Sequence, residues 1–135
     1  MKRLAKQILA NLYYHGYYKY NKKAGNRVLL YHALGSKLAH DTYGISISPK
    51  DFEEHIKFIK DNYEVISLKE DNYVNTLNRN TVSVSFDDGY EDNLLGADIL
   101  TRHNLPFVIF ITTDFIGKNL YLSKKQIKEL ANNKL

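Results

Sequence analysis

The segment TVSVSFDDG, residues 81–89, joins a predicted buried strand to an acidic turn. Its first six residues are rich in β-branched and aromatic side chains, which favours a strand from Thr81 to Phe86. Asp87, Asp88 and Gly89 follow at once. Two adjacent carboxylates repel each other unless a cation, a shared proton or solvent relieves them. The turn is therefore either an acidic site or a solvated loop, and the buried strand before it favours function.

Three other strands are predicted along the chain, namely Val28–Tyr31, Tyr63–Leu68 and Phe107–Ile111. The first is a short apolar run, which predicts a strand buried on both faces of its sheet. Helical patterns separate the strands and cover Pro49 to about Asp61, about Tyr90 to His103, and a last helix that begins after Ser123. Strands that alternate with helices predict an α/β fold with a parallel sheet.

Local signals mark the start of two of these helices. Ser48 precedes Pro49, which combines an N-cap residue with a proline at the first helical position. Ser123 is followed three residues later by Gln126, the spacing of a capping box. The polar, Asn-rich stretch from Glu70 to Asn80 predicts a loop.

Residues 1–26 form a basic, Tyr-rich leader that we separate from a domain at 27–135. Leu4, Ile8 and Leu12 recur at helical spacing among basic residues, which predicts an amphipathic helix from about Arg3 to Tyr14. We expect its apolar side chains to pack inward or to contact a membrane surface. The sequence shows no apolar run of the length of a secretory signal or a transmembrane span. These features predict a protein that is cytoplasmic or peripheral to the membrane.

Composition and charge narrow the classes of function. The chain has 135 residues, no cysteine and a net charge of +4, so a metal site would need His, Asp or Glu ligands. Eight basic residues and no acidic residue precede Asp41, whereas the rest of the chain holds eleven basic and fifteen acidic residues. The positive charge belongs to the leader alone, which argues against a nucleic-acid-binding domain.

Polar residues follow three of the predicted strands and define one edge of the sheet, which we name the rim. His32 follows the first strand, Asp87 and Asp88 follow the third, and Thr112 to Asp114 follow the last. Ligands of parallel α/β proteins bind at the carboxyl ends of the strands. At the rim, Asp88 could hold a divalent ion while Asp87 accepts a proton from water. A structural histidine at a strand end is the alternative for His32.

The segment SFDDGY, residues 85–90, resembles the first motif of the polysaccharide deacetylase family, also called the NodB-homology domain. The order of elements from about Arg27 to Leu135 is similar to this family as well. The resemblance implies a distorted (β/α) barrel, a divalent ion such as zinc, cobalt or nickel, and removal of N-acetyl groups from a polysaccharide of the N-acetylglucosamine type. It implies Asp87 as catalytic base, Asp88 as metal ligand and His32 as the acid for the departing amine.

The sequence also departs from that family's pattern. The family's second motif supplies two metal-binding histidines at i and i+4, and none of the five histidines here has such a partner. A complete barrel needs about 250 residues, so we expect half of one, with a truncated and weakly active or inactive site. An inactive member that binds a glycan or a partner protein is the alternative. A phosphoryl-accepting receiver domain fits poorly, because its acidic pair follows the first strand, where this chain has His32.

Overall fold

The computed structural model describes residues 2–18, 24–36, 38, 44–68 and 79–132, and the side chains of residues 2–6, 17 and 18 lie outside the description. Four parallel strands form the main sheet. Strand β5 (Asn80–Phe86) lies at its centre and pairs with β1 (Gly25–Tyr31) along one side. On its other side β5 pairs first with β4 (Glu64–Val65) and then with β6 (Phe107–Ile109). The prediction of an α/β fold with parallel strands is confirmed.

Strand β5 is buried on both faces, and its alternating sequence explains how. Val82, Val84 and Phe86 belong to the main hydrophobic core. The residues between them, Thr81, Ser83 and Ser85, are buried and polar, and their hydroxyls are satisfied inside the sheet. The Ser83 hydroxyl donates to the Ile66 carbonyl at 2.9 Å, and the Ser85 hydroxyl donates to the Leu29 carbonyl at 3.3 Å. Hydroxyls that bond to neighbouring strands can be buried without a large penalty.

Strand β1 differs from the sequence-based expectation. Leu29 and Tyr31 pack against the main core, but Val28 and Leu30 are 47% and 52% exposed. The prediction that this strand is buried on both faces is wrong. In the part of the chain that the structure describes, β1 pairs only with β5 and is an edge strand. The face that carries Val28 and Leu30 is open to solvent.

Two helices cover the core face of the sheet. The first begins where its residues predict, and the second begins at Asn93, three residues after the predicted start near Tyr90. Helix α2 (Pro49–Asn62) buries Phe52, Ile56 and Ile59, and its N-cap Ser48 accepts a hydrogen bond from the Asp51 amide at 3.1 Å. Helix α3 (Asn93–Arg102) packs beside it. The last helix, α4 (Lys124–Ala131), begins with the capping box of Ser123 and Gln126 that the sequence predicts.

The remaining elements are short. Ala33–Leu34 (β2) and Ser46–Ile47 (β3) form a two-stranded parallel sheet. The strand predicted at Tyr63–Leu68 is only two residues long, although the Ile66 amide also bonds to the Val82 carbonyl at 2.9 Å. Most of the loop predicted from Glu70 to Asn80 lies outside the described residues, and its last residue begins β5.

The leader is helical, as the sequence predicts. Helix α1 (Lys2–Tyr13) continues into a π-helical turn (Tyr14–Tyr18). Ile8 and Leu12 are 52% and 65% exposed, so the expectation that they pack inward is wrong; the Leu4 side chain lies outside the description. No described helix has both the length and the apolar character needed to cross a membrane. The division of the chain at residue 26 remains a prediction.

A substitution at Gly96 of helix α3 tests the packing of the core. A Cβ atom at this position would lie 2.6 Å from Cζ of Phe86 and 2.9 Å from its Cε1. Helix propensity alone favours alanine over glycine by about 1 kcal/mol. We nevertheless expect Gly96→Ala to lower the free energy of unfolding by about 1–3 kcal/mol, because the buried Phe86 ring must move.

Chemical denaturation measures this change, and Gly16→Ala is the matched control, since no atom lies within 4 Å of a Cβ at Gly16. A Gly96→Ala variant as stable as the parent chain would contradict the packing described here.

Candidate functional site

The pairing of β1 with β5 places His32 beside Asp87. Tyr31 is in register with Phe86 at the last paired position of the two strands. One residue further, the Asp87 amide donates a hydrogen bond to the Tyr31 carbonyl at 2.9 Å. His32 and Asp87 are therefore the first residues beyond the same ladder, and both are half-buried. The expectation that they share the rim agrees with this register.

The turn after β5 holds two consecutive residues in the left-handed region. Asp88 has φ 68° and Gly89 has φ 71°. Aspartate tolerates this conformation better than most residues, and glycine adopts it without penalty. At Gly89 a Cβ atom would also lie 2.8 Å from Cδ1 of Ile111. The sequence Asp-Asp-Gly thus supplies the residue types that let the chain reverse at the rim.

Thr112, which lies shortly after the end of β6, contacts Asp88. The Thr112 hydroxyl donates to Oδ1 of Asp88 at 3.3 Å, and the Thr112 amide donates to the Asp88 carbonyl at 3.4 Å. Asp114 lies in a short 3-10 helix (Thr113–Phe115) and is exposed. Of the group predicted at 112–114, Thr112 is the residue that contacts the acidic pair.

Tyr90 follows the acidic turn directly. It is almost fully buried, and its ring stacks on Tyr121 with 4.9 Å between ring centroids. Burial raises the pKa of Tyr90 well above its ordinary value, and the hydrogen bond with Tyr121 and the charges of Asp88 and Asp92 act in the same direction. The phenol therefore stays neutral. The sequence identified Tyr90 only as part of a motif and gave no signal for its contact with Tyr121.

The residues that the structure describes do not form a complete metal site. Among them, no three His, Asp or Glu side chains come together in a way that would hold a metal ion. His55 lies on α2, with its Nδ1 atom 3.4 Å from the Tyr31 hydroxyl. His103 lies 3.5 Å from the Glu53 carboxylate, and His40 is outside the described residues. The assignment of Asp88 as a metal ligand remains a prediction.

Comparison with known proteins supports the motif-based recognition. No protein-family model matches the chain. YxkH of Bacillus subtilis (strain 168), whose name describes it as a polysaccharide deacetylase, is 31% identical to this chain over 121 residues. The match covers 85% of this chain and 42% of YxkH, so the chain spans less than half the length of that relative.

Solved structures show the same relationship in the fold. A polysaccharide deacetylase from Bacillus cereus has a TM-score of 0.67 at 24% identity, covering 81% of this chain and 36% of that one. IcaB from Ammonifex degensii has a TM-score of 0.65 at 22% identity, covering 80% and 48%. The deacetylase PplD of Streptococcus pyogenes has a TM-score of 0.64 at 22% identity, covering 82% and 53%.

These similarities confirm two predictions made from the sequence. The chain resembles the polysaccharide deacetylases in its sequence, and its parallel α/β arrangement matches part of their fold. The described strands form an open sheet rather than a closed barrel.

A substitution at Gly89 tests how closely the acidic turn packs against Ile111. Gly89→Ala adds backbone strain of about 1–2 kcal/mol and also a collision with Ile111. Gly117→Ala is the matched control, because Gly117 has φ 77° but no atom within 4 Å of its Cβ position. We expect the Gly89 variant to lose more unfolding free energy than the Gly117 variant.

Denaturation in an Ile111→Val background isolates the collision, since valine lacks the Cδ1 atom. The loss caused by Gly89→Ala should then fall to that of Gly117→Ala. If the two glycine variants are equally unstable in the parent chain, Ile111 does not constrain the turn.

Proposed function

We propose that this chain carries part of the active site of a metal-dependent hydrolase that removes N-acetyl groups from a polysaccharide. The observation that carries the proposal is the shared edge of β1 and β5, where His32 and Asp87 follow one hydrogen-bonded ladder and Asp88 follows at once. The similarity to polysaccharide deacetylases supports the same class of reaction. The chain spans less than half of YxkH, so the hydrolase activity of a whole protein is also a proposal.

The side chains at the rim suit the two proton transfers of amide hydrolysis. In the proposed reaction the Asp87 carboxylate takes a proton from the water that attacks the acetamide carbonyl. The carbon–nitrogen bond then breaks, and the His32 imidazolium gives a proton to the departing sugar amine. The products are acetate and the free amine.

We propose Asp88 as one ligand of a divalent ion, zinc, cobalt or nickel. Such an ion would supply a positive charge that polarises the acetamide carbonyl. A catalytic zinc normally has three protein ligands, and Asp88 is one. No histidine pair stands at the i and i+4 spacing in the sequence. The chain by itself is therefore proposed to bind metal weakly and to deacetylate poorly.

Acetate release from an N-acetylglucosamine oligomer with added zinc, cobalt or nickel tests this proposal. We expect little turnover from the chain as given, and clear turnover from a version extended by a segment with paired histidines. In the extended version, Asp87→Asn should lower kcat by about 100- to 10,000-fold, because the proton acceptor is lost.

Asp98→Asn is the matched control, since Asp98 is an exposed aspartate of α3 that pairs with Arg102. Asp88→Ala should abolish the response to metal. Vigorous, Asp88-dependent turnover by the unextended chain would show that its own residues complete the site, and the proposal of a partial site would be wrong.

A glycan-binding protein without catalysis is the second candidate, and the shortage of metal ligands at the described rim favours it. The two candidates differ in metal content and in turnover. A chain that binds N-acetylglucosamine oligomers unchanged, with and without metal and in extended form, would be such a binding protein.

We also propose that helix α1 contacts an anionic membrane surface. Ile8, Leu9 and Leu12 are exposed on it, and no acidic residue occurs in the first 40 residues of the chain. A helix with an exposed apolar face and basic residues binds lipid through buried apolar area and through attraction to anionic headgroups.

Sedimentation with phosphatidylglycerol vesicles tests this contact. We expect the chain to pellet with them and to bind neutral phosphatidylcholine vesicles several-fold more weakly, because only the anionic headgroups attract the basic helix. Leu9→Ser with Leu12→Ser should weaken binding, whereas Asn11→Ser on the same helix should not. Binding that survives the double leucine change would be electrostatic only, and the apolar contact would be refuted.

A further inference from the structure

Two side chains at the start of α3 form hydrogen bonds with the stretch of chain that begins at His32. Asn93 is fully buried, and its Nδ2 atom donates a hydrogen bond to the His32 carbonyl at 2.6 Å. Its neighbour Asp92 accepts a hydrogen bond on Oδ2 from the Ser36 amide at 3.0 Å. The two adjacent side chains thus fasten both ends of the stretch from His32 to Ser36, which lies about 60 residues earlier in the sequence.

The hydrogen bond from Asn93 has only one chemically allowed direction. A backbone carbonyl can only accept, so the amide nitrogen of Asn93 must face His32. The amide oxygen then points elsewhere, and it is buried without a hydrogen-bond partner among the residues that the structure describes, as is Oδ1 of Asp92. An unpartnered buried acceptor destabilises a fold. The contact that Asn93 makes is therefore the one from its donor group to His32.

The backbone on both sides of the His32 Cα atom is fixed by this arrangement. The carbonyl before it, that of Tyr31, accepts from the Asp87 amide. The carbonyl after it, that of His32 itself, accepts from Asn93. With both flanking peptide groups held, the direction of the Cα–Cβ bond of His32 is set, and the imidazole turns only about its own side-chain torsions.

We infer that Asn93 is a positioning residue, which holds the His32 backbone, and with it the origin of the imidazole, beside Asp87 and acts on the reaction only through His32. The inference rests on the proposed function, in which His32 protonates the departing amine. A catalytic group that is displaced by 1 Å loses much of its effect on the rate, so a bond that fixes the histidine backbone should be visible in turnover.

A double-mutant cycle in the acetate-release assay tests the inference, with the extended version described above as the enzyme. Asn93→Ala should lower kcat by roughly 10- to 100-fold with little change in KM. Asn93→Asp has nearly the same volume but lacks the donor when ionised, so it should lose as much. In a His32→Ala background neither change should have a further effect. Multiplicative losses in that background would overturn the inference, because they would show that Asn93 acts independently of His32.

Asn26→Ala is the matched control. Asn26 lies at the opposite end of β1, where its side chain bonds to Ser83 at 2.9 Å and to Thr81 at 3.1 Å. Like Asn93, it is an asparagine that ties β1 to the rest of the fold, but its bonds lie far from the carboxyl end. It should lower stability and leave kcat within about two-fold, as distant sites are usually independent. An equal loss of kcat at Asn26 would mean that any loosening of β1 slows the reaction.

An NMR measurement on the unextended chain separates this inference from the proposed function. Each of the two carbon-bound ring protons of His32 should give one sharp signal in the parent chain and in Asn26→Ala. In Asn93→Ala or Asn93→Asp the signal should broaden or double, because the imidazole samples several directions. If both variants fail to fold, Asp92→Ala frees the same stretch at Ser36 and should broaden the signal too.

The NMR and acetate-release measurements can fail separately, and each failure rejects a different proposal. An unchanged His32 signal in folded Asn93 variants overturns the inference, whatever the activity. A responsive signal without acetate release from any version of the chain leaves the positioning contact in place and removes the proposed function instead.

Discussion

The structure depends on a central strand that has partners along both of its sides. Strand β5 bonds to β1 over seven residues on one side and to β4 and β6 on the other. A strand held in this way cannot shift its register without breaking hydrogen bonds on two sides and turning its apolar residues away from the core. The position of its last residues is therefore fixed, and Asp87 and Asp88 follow directly from them.

Packing extends this constraint from the sheet to the helix that follows the acidic turn. Phe86 is fully buried against α3, and its ring comes so close that only glycine fits at position 96. This contact fixes the distance between α3 and β5. The first turn of α3, with Asn93, consequently lies where it can reach the His32 carbonyl. A core contact and a polar contact at the rim are thus parts of one arrangement.

The sequence predicted the features whose causes are local. The helix starts at Ser48 and Ser123 were readable because a cap involves residues three apart, and both are confirmed. The parallel sheet followed from alternating elements. The exposed face of β1 could not be predicted, because the apolar run at 28–31 has the same composition whether or not a further layer covers it. The bond between Asn93 and His32 joins residues 61 apart, and no local pattern reports such a pair.

The contacts of the two aspartates suggest how adjacent carboxylates can have different roles. Asp87 continues the ladder of β5, since its amide bonds to Tyr31, and it lies beside the backbone of His32. Asp88 has left the ladder with a positive φ, and its carboxylate accepts the Thr112 hydroxyl. In the proposed function the carboxylate beside the histidine backbone takes the proton, and the one that bonds to Thr112 holds the cation. The two aspartates differ in backbone geometry at a single peptide step, and this difference is the physical basis that we propose for their separate roles.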